Sequence, residues 1–159
     1  MARLTPAKLG DRNVLAFLDM LAYAEGTQGR GDDGYNVIVG GGLFNGYAAH
    51  PGKSIWLPRY NVYSTAAGRY QFLKRTWDAL QKQLQLRDFS PVAQDLAAIE
   101  LIRGRGALAD VQHGRFAVAV AKCAKEWASL PGAGYGQREL ALSKLQIAYT
   151  AAGGGYDYA

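Results

Sequence analysis

The chain has 159 residues, which is enough for one domain with a buried core. Its composition, 49% hydrophobic and 19% charged, excludes a largely disordered chain, and no apolar run approaches the roughly 18–20 residues that cross a bilayer. The net charge of +5 favours an acidic partner, such as nucleic acid, an anionic envelope surface or an anionic polysaccharide. The basic residues are scattered, however, and fit a solubilising surface better than a dedicated polyanion site.

The first helix is predicted from Val14, Leu18 and Leu21, which recur at helical spacing, with Asp11 or Asn13 available as its N-cap. The positive charge before it is not followed by an apolar h-region, so we expect no signal peptide and accumulation in the cytoplasm.

Residues 26–65 are rich in glycine and carry a different pattern. The run YNVIV at residues 35–39 favours β-structure and is closed by three glycines. We therefore predict one or two short hairpins here, joined by long loops. Trp56 lies in this region and either contacts substrate or covers the small β lobe.

Four further helices are predicted from apolar spacing and from proline and glycine positions. The second helix covers residues 67–86, with Leu73, Trp77, Leu80 and Leu84 as its apolar stripe, and the third has Ser90 as N-cap, Pro91 as first residue, and the stripe Val92, Leu96 and Ile99. The fourth ends at residues 130–132 and has the stripe Phe116, Val120, Cys123 and Trp127. The fifth follows Gly136 and has the stripe Leu142, Leu145 and Tyr149. The prediction is a single α+β domain over residues 1–159, with residues 1–12 and 153–159 as flexible ends. A mainly helical body carries a small β-hairpin lobe, with a substrate cleft between them.

Trp77, Trp127 and Cys123 lie on apolar stripes and are predicted core residues. The single cysteine excludes an internal disulfide and suits a reducing compartment. Because His50, His113 and Cys123 lack metal-ligand spacing, we predict no metal and no cofactor.

Glu25 stands out because it continues the apolar stripe of the first helix at about 100° per residue. Packing of that face removes water from the carboxylate, and the negative end of the helix dipole repels it. Both effects raise the pKa, and a protonated glutamic acid near neutral pH is what general-acid attack on a glycosidic oxygen needs. The alternative is a helix-end carboxylate that turns into water beyond Gly26.

The other acidic residues are weaker candidates for this role. Asp19 falls about 120° away on the same helix and is expected to face solvent. Glu126 and Glu139 have basic neighbours and are predicted surface residues, whereas Glu100, at the edge of its stripe, is the best rival to Glu25.

Five blocks of the sequence together resemble the bacteriophage lambda endolysin family. They are FLDMLAYAEGT at 17–27, GYNVIVGG at 34–41, AGRYQ at 67–71, DFSP at 88–91 and WASLPGAGYGQ at 127–137. They occur in the family's order at similar spacings, and the last block is highly specific. The resemblance implies a lysozyme-like fold and lytic transglycosylase activity, which cuts between N-acetylmuramic acid and N-acetylglucosamine and leaves a 1,6-anhydromuramic acid end.

The resemblance also assigns residues. It identifies Glu25 as the catalytic glutamate, and it favours contact with sugar over exposure to solvent for Gln71 at the start of the second helix. Tyr70, beside it, is expected either to contact substrate or to pack at the start of that helix. Tyr135 lies between glycines in a loop that the resemblance places at the cleft edge, where its ring is a candidate for stacking on a sugar. Asn36 stands where the family pattern has an aspartate. An amide there can still bind sugar, so we retain Asn36 as a substrate-binding residue.

The loss of that carboxylate is compatible with transglycosylation. A hydrolase normally needs a second carboxylate, whereas a transglycosylase can use the 6-hydroxyl of the sugar as its nucleophile. Asp32 and Asp33 remain possible second carboxylates, although their Gly-Asp-Asp-Gly setting is typical of a turn. A true muramidase and a non-catalytic peptidoglycan- or polyanion-binding module therefore stay open as alternatives.

The expected partner is the glycan strand of peptidoglycan. We expect no nucleic acid, because no reader motif or basic stripe with interleaved aromatic residues occurs, and no stable membrane insertion. A monomer made in the host cytoplasm is expected to reach the cell wall through a membrane pore formed by another protein.

Overall fold

A computed structural model of the chain describes residues 1–4 and 12–157. Within these residues the elements are α1 (Arg12–Glu25), β1 (Ile55–Leu57), β2 (Val62–Ser64), α2 (Lys74–Leu84), α3 (Pro91–Gly104), α4 (Leu108–Gln112), α5 (Phe116–Cys123) and α6 (Leu142–Ala151). The two strands form an antiparallel hairpin in which Trp56 pairs with Tyr63. The arrangement is the α+β body with a small hairpin lobe that the sequence predicts. No helix in the described part of the chain is both long enough and apolar enough to cross a membrane.

The core of the body is built around α1. This helix packs against α6, α4 and α3, and its side chains are buried on most faces, as expected for an apolar helix in the middle of a fold. It begins at Arg12, so Asn13 lies inside the helix and is not its N-cap. Asp11, the other predicted cap, lies outside the described residues.

The prediction that Asp19 faces solvent is wrong. Asp19 is 6% exposed, and its carboxylate accepts a hydrogen bond from Arg69 Nη2 at 2.8 Å and from the backbone N of Ala2 at 2.8 Å. Periodicity describes only the faces of α1, whereas two other chain segments cover the face that carries Asp19. The buried ion pair ties α1 to the segment that contains Tyr70 and Gln71.

The second predicted helix begins seven residues later than expected, at Lys74. Ala67 and Phe72 exchange backbone hydrogen bonds of 3.0 and 2.9 Å, which close a tight turn between them. Gly68 (φ +84°) and Gln71 (φ +53°) take left-handed conformations in this turn, which a helix does not allow. Tyr70 and Gln71 therefore lie in a turn before α2 and not in its first turns.

The prediction of a hairpin within residues 26–65 is confirmed by β1 and β2, but the run at 35–39 is not a strand. Val37 and Ile38 form only isolated bridges, to Leu43 and Ala67. Gly40 and Gly41 then take positive φ angles of 87° and 102°, which ends the extended backbone.

The later helices agree better with the sequence. Ser90 caps α3 by accepting a hydrogen bond from the backbone N of Ala93, and Pro91 follows it as the first helical residue, as predicted. The last predicted helix is confirmed as α6. The fourth ends early, at Cys123, and a turn then brings Trp127 into the core. The short helix α4 was not predicted.

The predicted core residues are confirmed. Trp77, Trp127 and Cys123 are 1%, 2% and 0% exposed. Burial raises the pKa of the Cys123 thiol to about 12, so the thiol stays protonated at neutral pH.

Candidate active site

A cleft of about 770 Å³ lies between the hairpin lobe and the helical body. It is lined by Glu25, Val39 and Gly40, hairpin residues between 57 and 64, residues between 66 and 76, Leu101, residues 125–129, and Tyr135, Gln137 and Arg138. The cleft therefore brings together residues from several separate segments of the chain, as expected for a ligand site.

Glu25 is the last residue of α1, and a C-terminal cap holds it at the cleft. Gly26 takes a left-handed conformation (φ +74°), and its backbone N donates to the carbonyl of Tyr23 at 3.1 Å. The backbone N of Thr27 donates to the carbonyl of Ala22 at 3.0 Å. This pair of hydrogen bonds is a Schellman motif, which ends the helix and turns the chain away from it.

Burial raises the pKa of the Glu25 carboxyl from its ordinary 4.5 to about 7. The Ser129 hydroxyl and the positive charge of Arg138 act in the opposite direction and lower the pKa, but burial outweighs them. The raised pKa predicted from the sequence is confirmed. A carboxyl with this pKa is partly protonated at neutral pH, so it can donate a proton and later accept one.

Arg138 and Ser129, which sequence reasoning did not single out, are the neighbours of Glu25 that carry this electrostatic effect. Arg138 Nη2 donates to the carbonyl of Ala24, at the end of α1, at 3.0 Å. Ser129 is 5% exposed and lies in the segment that follows the core residue Trp127. Both lie within or beside the WASLPGAGYGQ block, so the resemblance marked their neighbourhood but not their roles.

The other carboxylate that lines the cleft is Glu126, which had been predicted to be a surface residue. Its Oε1 accepts a hydrogen bond from Arg105 Nε at 2.8 Å, so its charge is already paired. Glu100, the best rival to Glu25, pairs with Arg103 and does not line the cleft.

Asp32 and Asp33, the possible second carboxylates, also lie outside the cleft lining. Asp32 accepts hydrogen bonds from the Tyr47 hydroxyl and from Arg3, which hold its pKa below the ordinary value. Asp33 accepts from the backbone N of Gly29 at 2.8 Å and pairs with Arg69. Both carboxylates stabilise the turn in which they lie.

Asn36 belongs to the same turn. Its Oδ1 accepts a hydrogen bond from the backbone N of Asp32 at 2.8 Å, and it is not among the residues that line the cleft. The described geometry thus gives Asn36 a turn-forming role, and contact between Asn36 and a sugar stays a prediction without structural support.

Tyr70 and Gln71 both line the cleft, but they present different groups to it. Tyr70 is fully buried, and its hydroxyl donates to Asp95 Oδ1 at 2.6 Å inside the protein. Gln71 is half-buried, and its Nε2 donates to the carbonyl of Gly68 at 2.8 Å. Gln71 therefore offers side-chain surface to a ligand, whereas the hydroxyl of Tyr70 is committed to the core.

Tyr135 is 54% exposed and lines the cleft from the glycine-rich loop. Its hydroxyl donates to the carbonyl of Lys125 at 2.7 Å, and the Lys125 ammonium lies 5.4 Å from its ring centre. Glu139 fastens the loop, because its carboxylate accepts hydrogen bonds from the backbone N of Gly132 and Gly134 at 2.9 and 3.0 Å. The ring of Tyr135 thus has a fixed edge and a face open to a sugar.

The hairpin presents a second exposed aromatic pair. Trp56 and Tyr63 are 43% and 69% exposed, and their ring centres lie 4.9 Å apart. Tyr63 lines the cleft and Trp56 does not, so Trp56 covers the hairpin at the edge of the site.

The candidate metal ligands do not come together. His50 is buried, with one ring nitrogen 2.8 Å from the carbonyl of Phe72, and His113 is exposed. Across residues 1–4 and 12–157, no group of three or more His, Cys, Asp or Glu side chains has the arrangement of a metal site.

Comparisons with known proteins show the family to which this chain belongs. A family model described as Endolysin matches residues 15–156. The endolysin of Escherichia phage lambda is 50% identical over 143 residues, which cover 87% of this chain and 90% of that protein. The endolysin of Escherichia phage P2 is 48% identical over 155 residues, which cover 90% of this chain and 94% of that protein.

The fold is also shared with solved structures. A bacteriophage lambda lysozyme complexed with a chitohexasaccharide matches with a TM-score of 0.88 and 44% identity, over 99% of this chain and 100% of that chain. A second structure of the lysozyme from bacteriophage lambda matches with a TM-score of 0.85 and 43% identity over the same shares. The resemblance found in the five sequence blocks is thereby confirmed, together with the lysozyme-like fold. The chain therefore belongs to the endolysin family and is a lysozyme-like enzyme that acts on peptidoglycan.

Proposed function

We propose that this endolysin is a lytic transglycosylase with Glu25 as its single catalytic acid and base. It cleaves the β-1,4 bond between N-acetylmuramic acid and N-acetylglucosamine and forms 1,6-anhydromuramic acid. The proposal depends on the carboxyl groups that line the cleft. Glu25 has a raised pKa, whereas the carboxylate of Glu126, which also lines the cleft, is bound to Arg105. Among the described residues that line the cleft, Glu25 is thus the carboxyl group that forms no salt bridge.

The proposed reaction needs only this one residue. Protonated Glu25 gives its proton to the glycosidic oxygen as the bond from that oxygen to the muramic acid anomeric carbon breaks. The 6-hydroxyl of the same muramic acid forms the new bond to the anomeric carbon, and its proton passes to the Glu25 carboxylate. Glu25 is thus protonated again at the end, and no water is consumed. The tethered hydroxyl competes with water because most of its entropy loss is already incurred.

Features of the cleft support a glycan as the ligand. The matched lambda lysozyme structure is of a complex with a chitohexasaccharide, a chain of β-linked amino sugars. In this chain, the exposed face of Tyr135 and the side chain of Gln71 line a cleft on the same fold. Arg75, Lys125 and Arg138 add positive charge to the lining, which suits the carboxylates of a muropeptide.

Digestion of purified peptidoglycan in water enriched in heavy oxygen tests the reaction type. Transglycosylation predicts muropeptides one water lighter than the hydrolysis products, with no label and no reducing muramic acid end. Labelled, reducing products would refute the proposal and make the enzyme a muramidase. In that case Glu126 becomes the candidate second carboxylate, and Glu126→Gln should then abolish activity.

The non-catalytic alternative makes a separate prediction. If the chain only binds peptidoglycan or another polyanion, Glu25→Gln should leave its effect on cells unchanged. Loss of wall degradation by the folded variant, with retained binding to sedimented walls, would eliminate that alternative.

We also propose that the enzyme is a monomer made in the host cytoplasm and released by a pore-forming membrane protein. The family assignment supports this. Induction of the protein alone should leave cells intact, whereas permeabilising the inner membrane should lyse them at once. Sedimentation at micromolar concentration tests the monomer.

A further inference from the structure

The hydroxyl of Ser129 is an unexplained polar group in the active site. Its Oγ is buried and forms no hydrogen bond of normal length and angle with a described residue, although it lies close enough to the Glu25 carboxyl to lower its pKa. Buried hydroxyls almost always form a hydrogen bond, because a hydroxyl that is buried without one loses its hydrogen bonds to water and gains none in the protein. Ser129 lines the cleft together with Glu25, so the natural partner is a group that becomes a stronger acceptor during the reaction.

The backbone around Ser129 is fixed on both sides. The carbonyl of Ser129 accepts a hydrogen bond from the backbone N of Leu140 at 2.8 Å. Two residues earlier, Trp127 Nε1 donates to the carbonyl of Tyr70 at 3.0 Å, which anchors this segment to the turn before α2. The hydroxyl is therefore held beside the Glu25 carboxyl by the fold, and only its own rotation is free.

We propose that the Ser129 hydroxyl donates a hydrogen bond to the Glu25 carboxylate as that carboxylate forms, and that Ser129 is a positioning residue for proton transfer. The inference rests on the proposed role of Glu25 as the acid. When Glu25 gives its proton to the glycosidic oxygen, its oxygen gains charge in a site with little water. The Ser129 O–H then turns to this oxygen, and it is released again when the 6-hydroxyl of the sugar returns a proton to Glu25. Ser129 itself neither gains nor loses a proton.

The charged groups around Glu25 leave this role open. Arg75 from α2, Lys125 and Glu126 after α5, and Arg138 after the glycine-rich loop all line the cleft. Lys125 Nζ is engaged with the carbonyl of Ala133 at 2.6 Å, and Glu126 is paired with Arg105. Among the described groups, Ser129 and Arg138 lower the Glu25 pKa, and Ser129 lowers it more than Arg138 does.

Carbon-13 NMR titration of the four labelled glutamate carboxyls measures the Glu25 pKa directly, with Glu25→Gln used to assign the resonance. Ser129→Ala removes the donor, so the Glu25 pKa should rise by about one pH unit, the size expected for a hydrogen bond to a charged group. Ser64→Ala is the matched control, because Ser64 lines the same cleft but its hydroxyl accepts from the backbone N of Ala66. It should leave the Glu25 pKa unchanged.

The kinetics should follow the titration. Ser129→Ala should lower kcat roughly tenfold with KM unchanged, because the hydrogen bond strengthens only as charge develops on Glu25. Ser129→Thr, which restores a hydroxyl, should return both the pKa and the acidic limb of the pH profile toward wild type. An unchanged Glu25 pKa in Ser129→Ala, or a change only in KM, would overturn the inference. Inactivity of Glu25→Gln in the same experiments would show that the proposed catalytic role of Glu25 stands even then, whereas an active Glu25→Gln would remove both that role and the role of Ser129.

Discussion

Replacing Glu25 with glutamine should make the protein more stable while it removes the activity. In the folded protein the Glu25 pKa is about 7, against an ordinary value of 4.5. Between these values the folded protein holds a proton that the unfolded chain releases. The contribution of Glu25 to the free energy of unfolding is therefore most favourable below pH 4.5 and is lost as the pH rises to 7. Glutamine has nearly the same volume and is neutral at every pH.

The size of the effect follows from the pKa difference. The difference of about 2.5 (7 − 4.5), at about 1.4 kcal/mol for each pH unit, sets an upper limit of about 3 kcal/mol on the penalty above pH 7. Because Glu25 is partly exposed to the cleft, water screens some of this penalty. We expect Glu25→Gln to raise the free energy of unfolding by about 1–3 kcal/mol at pH 8, and to leave it unchanged at pH 4.

Urea unfolding at pH 4 and pH 8, followed by tryptophan fluorescence, measures this difference, because the buried Trp77 and Trp127 report the loss of the core. Glu126→Gln is the matched control: it lines the same cleft but is paired with Arg105, so it should give no gain at pH 8. Equal stability of Glu25→Gln and wild type at both pH values would refute the reasoning, since burial would then not be the cause of the raised pKa.

Glu25→Gln should also reduce wall degradation by about 10²–10⁴-fold, the usual contribution of a general acid. Clearing of a cell-wall suspension at equal protein concentration measures this loss. A rate above about a hundredth of wild type would contradict general-acid catalysis by Glu25.

Three other substitutions test the roles of individual residues. Asn36→Asp should be tolerated, since the turn needs only an oxygen that accepts from the backbone, and a large gain in clearing rate would contradict the single-carboxylate mechanism. Arg69→Met should lower the free energy of unfolding by about 3–5 kcal/mol, because it leaves Asp19 buried without its partner; a loss below about 1 kcal/mol in urea titration would show that the pair is not desolvated. Tyr135→Ala should raise KM for glycan oligomers while Tyr135→Phe retains most of the binding, because the ring face makes the contact; equal KM values for both variants would argue against stacking.

The sequence by itself was sufficient to place the main helices, although not all of their ends, and to single out Glu25 as a candidate. The stripe Val14, Leu18 and Leu21, the Ser90 cap and the spacing in α6 are local features, and the structure bears them out. Glu25 could be identified because a carboxyl on an apolar face is anomalous within its own helix. The resemblance then placed the glycine-rich loop and the turn at Gly68 near the same site.

Only the tertiary structure decided which side chains meet. Asp19 is buried because distant segments cover its face of α1, and residues 67–73 form a turn because Ala67 pairs with Phe72 and Gly68 packs against Gln94 and Phe89. Glu126 reaches the cleft through the turn that ends α5 early.

The same limit applies to the active site. Periodicity gives the direction of a side chain about its own helix axis, but Ser129 and Arg138 lie in turns and loops, where the direction depends on long-range hydrogen bonds such as those from Leu140 N to the Ser129 carbonyl and from Arg138 to the Ala24 carbonyl. The pKa of Glu25 likewise depends on how much water the packed body and hairpin lobe exclude from the cleft, and this exclusion exists only once both have folded.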